Sequence, residues 1–171
     1  VIHHSDYTAV IRRAQELPGF AEGERKHSLL IGFGHHAVVD TPVLDLIIDA
    51  IAPKKLSPVY RIGGCDGYEK ERNQYTELAE RLPPDTLILT LACGKFKING
   101  TDYGKVPGTE LPRLVDMGQC NDAYSAVQVV LALCKRLGVA DPNTLPITYV
   151  VSWFEQKAVA VLLALLYLGI K

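Results

Sequence analysis

The sequence predicts an α/β fold in which a doubly wound, mostly parallel sheet carries helices on both faces. Short apolar runs alternate along the chain with amphipathic, charge-rich stretches, the rhythm of successive βα units. The run Thr86 to Leu91 is nearly all apolar, which suits a central strand covered on both faces rather than one half-exposed to water. At 171 residues, 48% hydrophobic and 22% charged, the chain is long enough for one domain, spanning 1–171, with a substantial core.

Taken in order, Ser28-Leu29-Leu30-Ile31 reads as the first strand, followed by Gly32-Phe33-Gly34. Asp40-Thr41-Pro42 then supplies a cap and a proline near the first helical position, so a helix is expected from about Val43 to Ile51. Pro58 to Ile62 is a second strand, and Glu69 to Arg81 an amphipathic helix stopped by Pro83-Pro84. After the strand at Thr86 to Leu91, residues Gly94 to Pro112 hold four glycines and two prolines without a sustained period, and read as a long loop over the site. Leu114 to Met117 is a short strand, Asp122 to Leu137 a helix ended by Gly138, Ile147 to Ser152 a strand, and Gln156 to Leu168 the last helix. The layout is Rossmann-like, without internal repeats.

A formal charge of −1, with no basic block longer than Arg12-Arg13 or Lys54-Lys55, gives no electrostatic footprint for nucleic acid or anionic lipid. The longest apolar stretch, Ala158 to Ile170, falls short of the roughly 18 to 20 residues of a membrane span, and is expected to be a buried helix. Four cysteines spread this widely do not make the dense framework of a small secreted domain, so the cytoplasm is the expected compartment. Starting at Val1 and ending just after a hydrophobic helix, the chain is expected to be a piece of something longer.

Three of the cysteines and one glutamate stand just past the ends of predicted strands: Cys65 in Gly63-Gly64-Cys65-Asp66-Gly67, Cys93 in Ala92-Cys93-Gly94-Lys95, Cys120 in Gly118-Gln119-Cys120-Asn121-Asp122, and Glu155 in Trp153-Phe154-Glu155-Gln156-Lys157. In an open α/β sheet those ends converge on one edge, where ligands bind. Soft thiolates beside a hard carboxylate suit an iron-containing cluster or zinc, not magnesium or calcium. Read singly, each has a plainer role. A cysteine in a tight turn can be packing, and a first-turn acid such as Glu155 can simply complement a helix dipole. Three recurrences of thiol at strand ends favour a shared site. Cys134, inside a predicted helix among apolar neighbours, is expected in the core, while Asp66, Lys95 and Asn121 are candidates to support the ligands. Lys157 is either a solvated helix lysine or a proton donor at the site. His3-His4 and His35-His36 read as exposed loop residues. Gly32-Phe33-Gly34-His35-His36-Ala37 matches the loose dinucleotide fingerprint, but the helix starts too late and the second strand ends in glycines where an acid for the ribose is expected.

Together, Ile62-Gly63-Gly64-Cys65-Asp66-Gly67, Leu89 through Lys95, Asp116 through Asp122 and Ser152 through Ala160 resemble, in this order, the C-terminal domain of the hybrid cluster proteins, also called prismane proteins or hydroxylamine reductases. The related carbon monoxide dehydrogenases share the layout but place a cysteine where this chain has Trp-x-Glu. The resemblance implies a hybrid iron-sulfur-oxygen cluster in the full-length protein, with Cys65 bearing a persulfide, Cys93 and Cys120 as thiolate ligands and Glu155 as a carboxylate ligand. It implies upstream domains that carry a histidine, a glutamate and a cysteine for the same cluster together with a cubane iron-sulfur (4Fe-4S) cluster. The implied reaction is reduction of a small nitrogen-oxide substrate, either hydroxylamine, giving ammonia, or nitric oxide, with Glu155 or Lys157 assisting protonation. The alternatives are a carbon monoxide dehydrogenase-related domain and a non-catalytic metal- or partner-binding domain.

Overall fold

The computed structural model describes residues 6–24, 28, 30–51, 58–65, 71–152 and 156–171. Val59–Gly64 (β1), Ile88–Leu91 (β2), Leu114–Asp116 (β3) and Ile147–Ser152 (β4) form one sheet in the order β3-β2-β1-β4. Every neighbouring pair is parallel, with Ile62 opposite Thr90 on one side and Val150 on the other. The helices are Thr8–Glu16 (α1), His36–Val39 (α2), Val43–Ile51 (α3), Gln74–Arg81 (α4), Ala123–Leu137 (α5) and Gln156–Tyr167 (α6).

Strand order dictates which face each helix covers. The β1-α4-β2 connection steps one way along the sheet, and β3-α5-β4 crosses back past β2 and β1. Right-handed crossovers therefore put α4 and α5 on opposite faces. Two cores result. Ile62 and Ile88 pack with Tyr75, Ala79 and Leu82 of the α4 side. Val59, Leu87 and Leu91 point the other way, onto Leu44 and Ile47 of α3 and Val129 and Leu133 of α5. The period of two in β1 thus feeds both layers. Gly138 closes α5 in the left-handed conformation at φ 67°, where a side chain is disfavoured.

Four of the five expected strands and the helices at 43–51, 122–137 and 156–168 lie where the sequence puts them, within a few residues. Four expectations need correction. Residues 28, 30 and 31 form no strand, and Leu29 lies outside the described residues. Lys95 Nζ donates to the Ile31 carbonyl, and the backbone at Gly32 presses on Met117 and Gly118, so this segment crosses the ends of β2 and β3 instead of pairing alongside them. The 94–112 segment is not a bare loop. Cys93–Lys97 is a turn of 3₁₀ helix, and Ile98, Val106 and Leu111 are buried in the two cores. Finally, α6 is not a buried helix. Only Leu165 of its residues is buried, and Leu163, Leu166 and Tyr167 face outward, because one side of α6 meets the sheet and nothing among the described residues covers the other. The helix expected from Glu69 begins at Gln74, with residues 66–70 outside the described set. Helix α1, which the apolar pattern did not flag, has no buried residue.

Candidate metal centre

The sheet changes winding direction between β1 and β4, and crevices beyond the carboxyl ends of strands at such a point are where α/β proteins bind ligands. Cys65 follows β1 there. Its turn is held against β4, with Cys65 N–H donating to the Ser152 carbonyl at 3.3 Å. Gly64 makes that approach possible: at φ 128°, a Cβ would collide with the same Ser152 carbonyl. From the other layer Tyr75 reaches up to the crevice. Its hydroxyl donates to the Gly63 carbonyl at 2.6 Å and accepts from Ser152 N–H at 3.0 Å, tying the last turns of β1 and β4 together. Gly94 lies flat on the Tyr75 ring with no room for a side chain.

Cys93 follows β2. Ala92 before it is held at φ 67°, ψ −161°, a region glycine alone enters freely, and its N–H donates to the Gly118 carbonyl at 3.0 Å. The twist turns Cys93 outward, and its residue is exposed. Two residues on, Lys95 turns inward and is fully buried. Its ammonium donates to Asp116 Oδ1 at 3.0 Å and to the Ile31 carbonyl at 2.8 Å. Asp116 also accepts from Asn99 Nδ2 at 3.2 Å and from Gly118 N–H at 2.9 Å. This buried ion pair clamps the turn that bears Cys93 to the turn that bears Cys120.

Cys120 opens a 3₁₀ turn leading into α5, and Asp122 reciprocates the capping by accepting from Gln119 N–H at 2.6 Å. Cys65 and Cys120 line one small cleft together with Ala92, Ala123, Val161 and Lys157. The structure therefore brings Cys65, Cys120 and Lys157 to a single opening, with Cys93 at the adjoining strand end. Glu155 and Asp66 lie outside the described residues, as do His3 and His4. Cys134 is buried in the α5 core. His36 pairs with Asp40 on the surface. Among the described residues no three His, Cys, Asp or Glu side chains stand close enough to hold a single metal ion. The soft thiols on apolar walls match the donor chemistry of iron and sulfide better than that of a hard cation.

Tyr75 and Asp116 were given no role by sequence reasoning. Tyr75 sits on the apolar stripe of an amphipathic helix and reads as core, and only the glycines at 63, 64 and 94 hint at a large ring packed against backbone. Asp116, an acid in a short strand before Gly118, was the available signal for a buried partner of Lys95.

Residues 2–171 match the Prismane/CO dehydrogenase family. The chain is 48% identical over 170 residues to a hydroxylamine reductase of Thermodesulfovibrio yellowstonii, covering 99% of this chain and 31% of that protein. It is 46% identical over 170 residues to a hydroxylamine reductase of Methanocella arvoryzae, covering 99% and 30%. The chain thus spans about a third of the length of these relatives. In fold it is similar to carbon monoxide dehydrogenase IV from Carboxydothermus hydrogenoformans, with TM-score 0.59 and 20% identity over 75% of this chain and 25% of that one. The as-isolated, nickel-free carbon monoxide dehydrogenase from Thermococcus sp. AM4 aligns with TM-score 0.60 and 21% identity, over 76% and 23%. The fold and the resemblance carried by the four cysteine- and glutamate-bearing motifs agree with these matches, and the chain belongs to the Prismane/CO dehydrogenase family.

Proposed function

We propose that this chain is the domain of a longer iron-sulfur oxidoreductase that reduces hydroxylamine to ammonia, and that it supplies part of the protein ligation of a hybrid iron-sulfur-oxygen cluster. The observation that carries the reading is the shared cleft of Cys65, Cys120 and Lys157 at the sheet's switch point, with Cys93 beside it. In this reading Cys65 carries a persulfide, Cys93 and Cys120 ligate through thiolate, and Glu155 ligates through carboxylate. The remaining histidine, glutamate and cysteine ligands, and the cubane cluster that brings in electrons, belong to upstream domains of the same cytoplasmic protein.

When bound, the cluster supplies electrons and a Lewis-acidic iron. The net change takes up two electrons and two protons per hydroxylamine, breaks the N–O bond and yields ammonia and water. The chain's own contribution is to fix donors and handle protons. The Lys95–Asp116 clamp and the Tyr75 hydroxyl keep the cysteine turns in register before any ligand arrives. Lys157, at the mouth of the cleft and exposed to water, delivers a proton from Nζ toward the leaving oxygen and is recharged from solvent.

The test uses the full-length protein, anaerobically purified. Iron and sulfide content, the electron paramagnetic resonance spectrum and hydroxylamine-dependent oxidation of a reduced viologen are measured for wild type, Cys93→Ser, Cys120→Ser, Glu155→Gln and Lys157→Met. The three ligand variants are expected to lose the hybrid-cluster signal and turnover together. Lys157→Met is expected to keep the signal and lose most turnover. The 171-residue chain by itself, reconstituted with iron and sulfide, should show no turnover, and robust turnover from it that Cys93→Ser abolishes would overturn the division of ligands between domains.

A further inference from the structure

Arg61 is the anomaly of the α5 layer. It occupies the middle of β1, opposite Leu89 and Tyr149, and is 7% exposed. Its guanidinium lies 5.6 Å from the centroid of the Tyr149 ring. Its Nε is buried with no hydrogen-bond partner, and among the described residues no carboxylate pairs with it. A guanidinium stays protonated in proteins, so this is a standing positive charge in a dry setting. Burial of such a charge is tolerated when an anion is fixed beside it, and a single ring face compensates only part of the lost hydration. Burial alone already presses the Arg61 pKa downward and the Tyr149 pKa upward, the mark of a site with too little polar company.

The charge also borders empty space. Arg61 and Tyr149 line a cavity of about 330 Å³ enclosed by the sheet, α3 and α5, whose other walls are apolar, among them Ile47, Leu89, Val129 and Leu133. Both residues line a second cavity of about 220 Å³ beneath α5 and α6, and Val130 borders the two. A largely apolar hollow of this size with a few converging polar groups is how small-molecule sites are built.

We propose that this hollow binds a small amphipathic monocarboxylate, its carboxylate on Arg61 and its apolar body along the α5 layer. The planar fork of the guanidinium accepts a carboxylate in two parallel hydrogen bonds, which would satisfy Nε. One fixed cation neutralises one negative charge, which disfavours a dianionic head. With the volume of a water molecule as a measure of one heavy atom, the larger cavity holds roughly ten, the size of a medium-chain fatty acid. Arg61 also borders the cysteine cleft, so the hollow and that opening meet at one side chain, but a carboxylate held on the guanidinium needs no cluster.

Octanoate, octanol and octylammonium are the probes, titrated calorimetrically into the 171-residue chain, with circular dichroism to confirm that each variant is folded. Octanoate is expected to bind at least tenfold more tightly than octanol, and octylammonium to bind not at all. Arg61→Met should make octanoate and octanol equivalent, while Val130→Trp, which fills the junction of the cavities and leaves the charge alone, should abolish binding of both. If Arg61→Met fails to fold, the octanoate preference of the wild type and its loss in Val130→Trp still decide the matter. Equal affinity for octanoate and octanol in the wild type, anion preference that persists in Arg61→Met, or no octanoate binding at millimolar concentration would each overturn the proposal. The last result would assign the Arg61 charge to an acidic side chain of the longer protein.

Discussion

Removing the negative partner from the Lys95–Asp116 pair should cost more than removing the positive one. Lys95 is fully buried and its ammonium has two acceptors, Asp116 Oδ1 and the Ile31 carbonyl. Asp116→Asn leaves a neutral acceptor and strands the ammonium without a counter-charge, a change that costs about 3 to 5 kcal/mol for buried pairs, with the low end expected here because the amide oxygen still accepts. Lys95→Met leaves a carboxylate that retains the Gly118 N–H and the Asn99 amide. The loss is then nearer that of one charge-assisted hydrogen bond, roughly 1.5 to 3 kcal/mol. The double variant removes the stranded charge and should be more stable than Asp116→Asn by about 1 kcal/mol or more, a strongly non-additive cycle. Urea unfolding followed by circular dichroism reads these values directly. With a slope of about 2 kcal/mol/M, Asp116→Asn should lower the midpoint by about 1.5 M. A fall smaller than that of Lys95→Met, or strict additivity in the double variant, would refute the account of a buried and mutually dependent pair.

Replacing Ala92 by glycine should raise stability by about 1 kcal/mol in the same urea assay, since φ 67°, ψ −161° is open to glycine, while loosening the turn before Cys93. Gly64→Ala should do the opposite and cost more than about 3 kcal/mol, because a Cβ there meets the Ser152 backbone and separates β1 from β4; a midpoint within error of wild type would contradict that packing. Timed alkylation with iodoacetamide, read by peptide mass spectrometry, should label exposed Cys93 first and buried Cys134 last, whose thiol pKa is pushed up chiefly by burial and further by Asp141. Stability should also decline in alkali. Cys134 and Tyr149 both have folded pKa values raised by burial, so their contribution is whole below the ordinary values of 9.0 and 10.0 and is lost as pH climbs past these through the folded values. Cys134→Ala should flatten the earlier part of that decline, and an unchanged profile would rule it out.

The sheet was legible because its information is local. Each strand is a short, mostly apolar run, glycine closes or soon follows all but β4, and each turn that follows carries a cysteine or a glutamate, a recurrence visible in the sequence itself. The same locality explains the failures. Ser28 to Ile31 has the composition of a strand, but whether a segment pairs or crosses depends on where Lys95 and Gly118 lie, dozens of residues away. Lys95 was legible only as a residue near the ligands, and its burial depends on Asp116 and Ile31, which close around it from distant parts of the chain. Helix α6 looked buried because its residues are apolar, yet composition tells what a helix can meet and not what meets it here. Arg61 is the clearest case. Reading Val59 to Ile62 with a period of two already sends Val59 and Arg61 to one face and Tyr60 and Ile62 to the other, so a charge inside a strand was visible, but not that it would lack a partner.

Strand β4 ends the sheet, with β1 on one side and no described strand on the other. Its sequence, Ile147-Thr148-Tyr149-Val150-Val151-Ser152, has no charge, no proline and no glycine, and its residues are β-branched or aromatic apart from the last. Such an edge is a template for another chain's backbone, and proteins usually blunt it with a lysine, a bulge or a cover. Nothing of that kind is written into these six residues. The domain expressed alone is therefore exposed to ribbon-like self-association along β4, and a lysine at exposed Thr148 is the natural gatekeeper for anyone who needs it in concentrated solution.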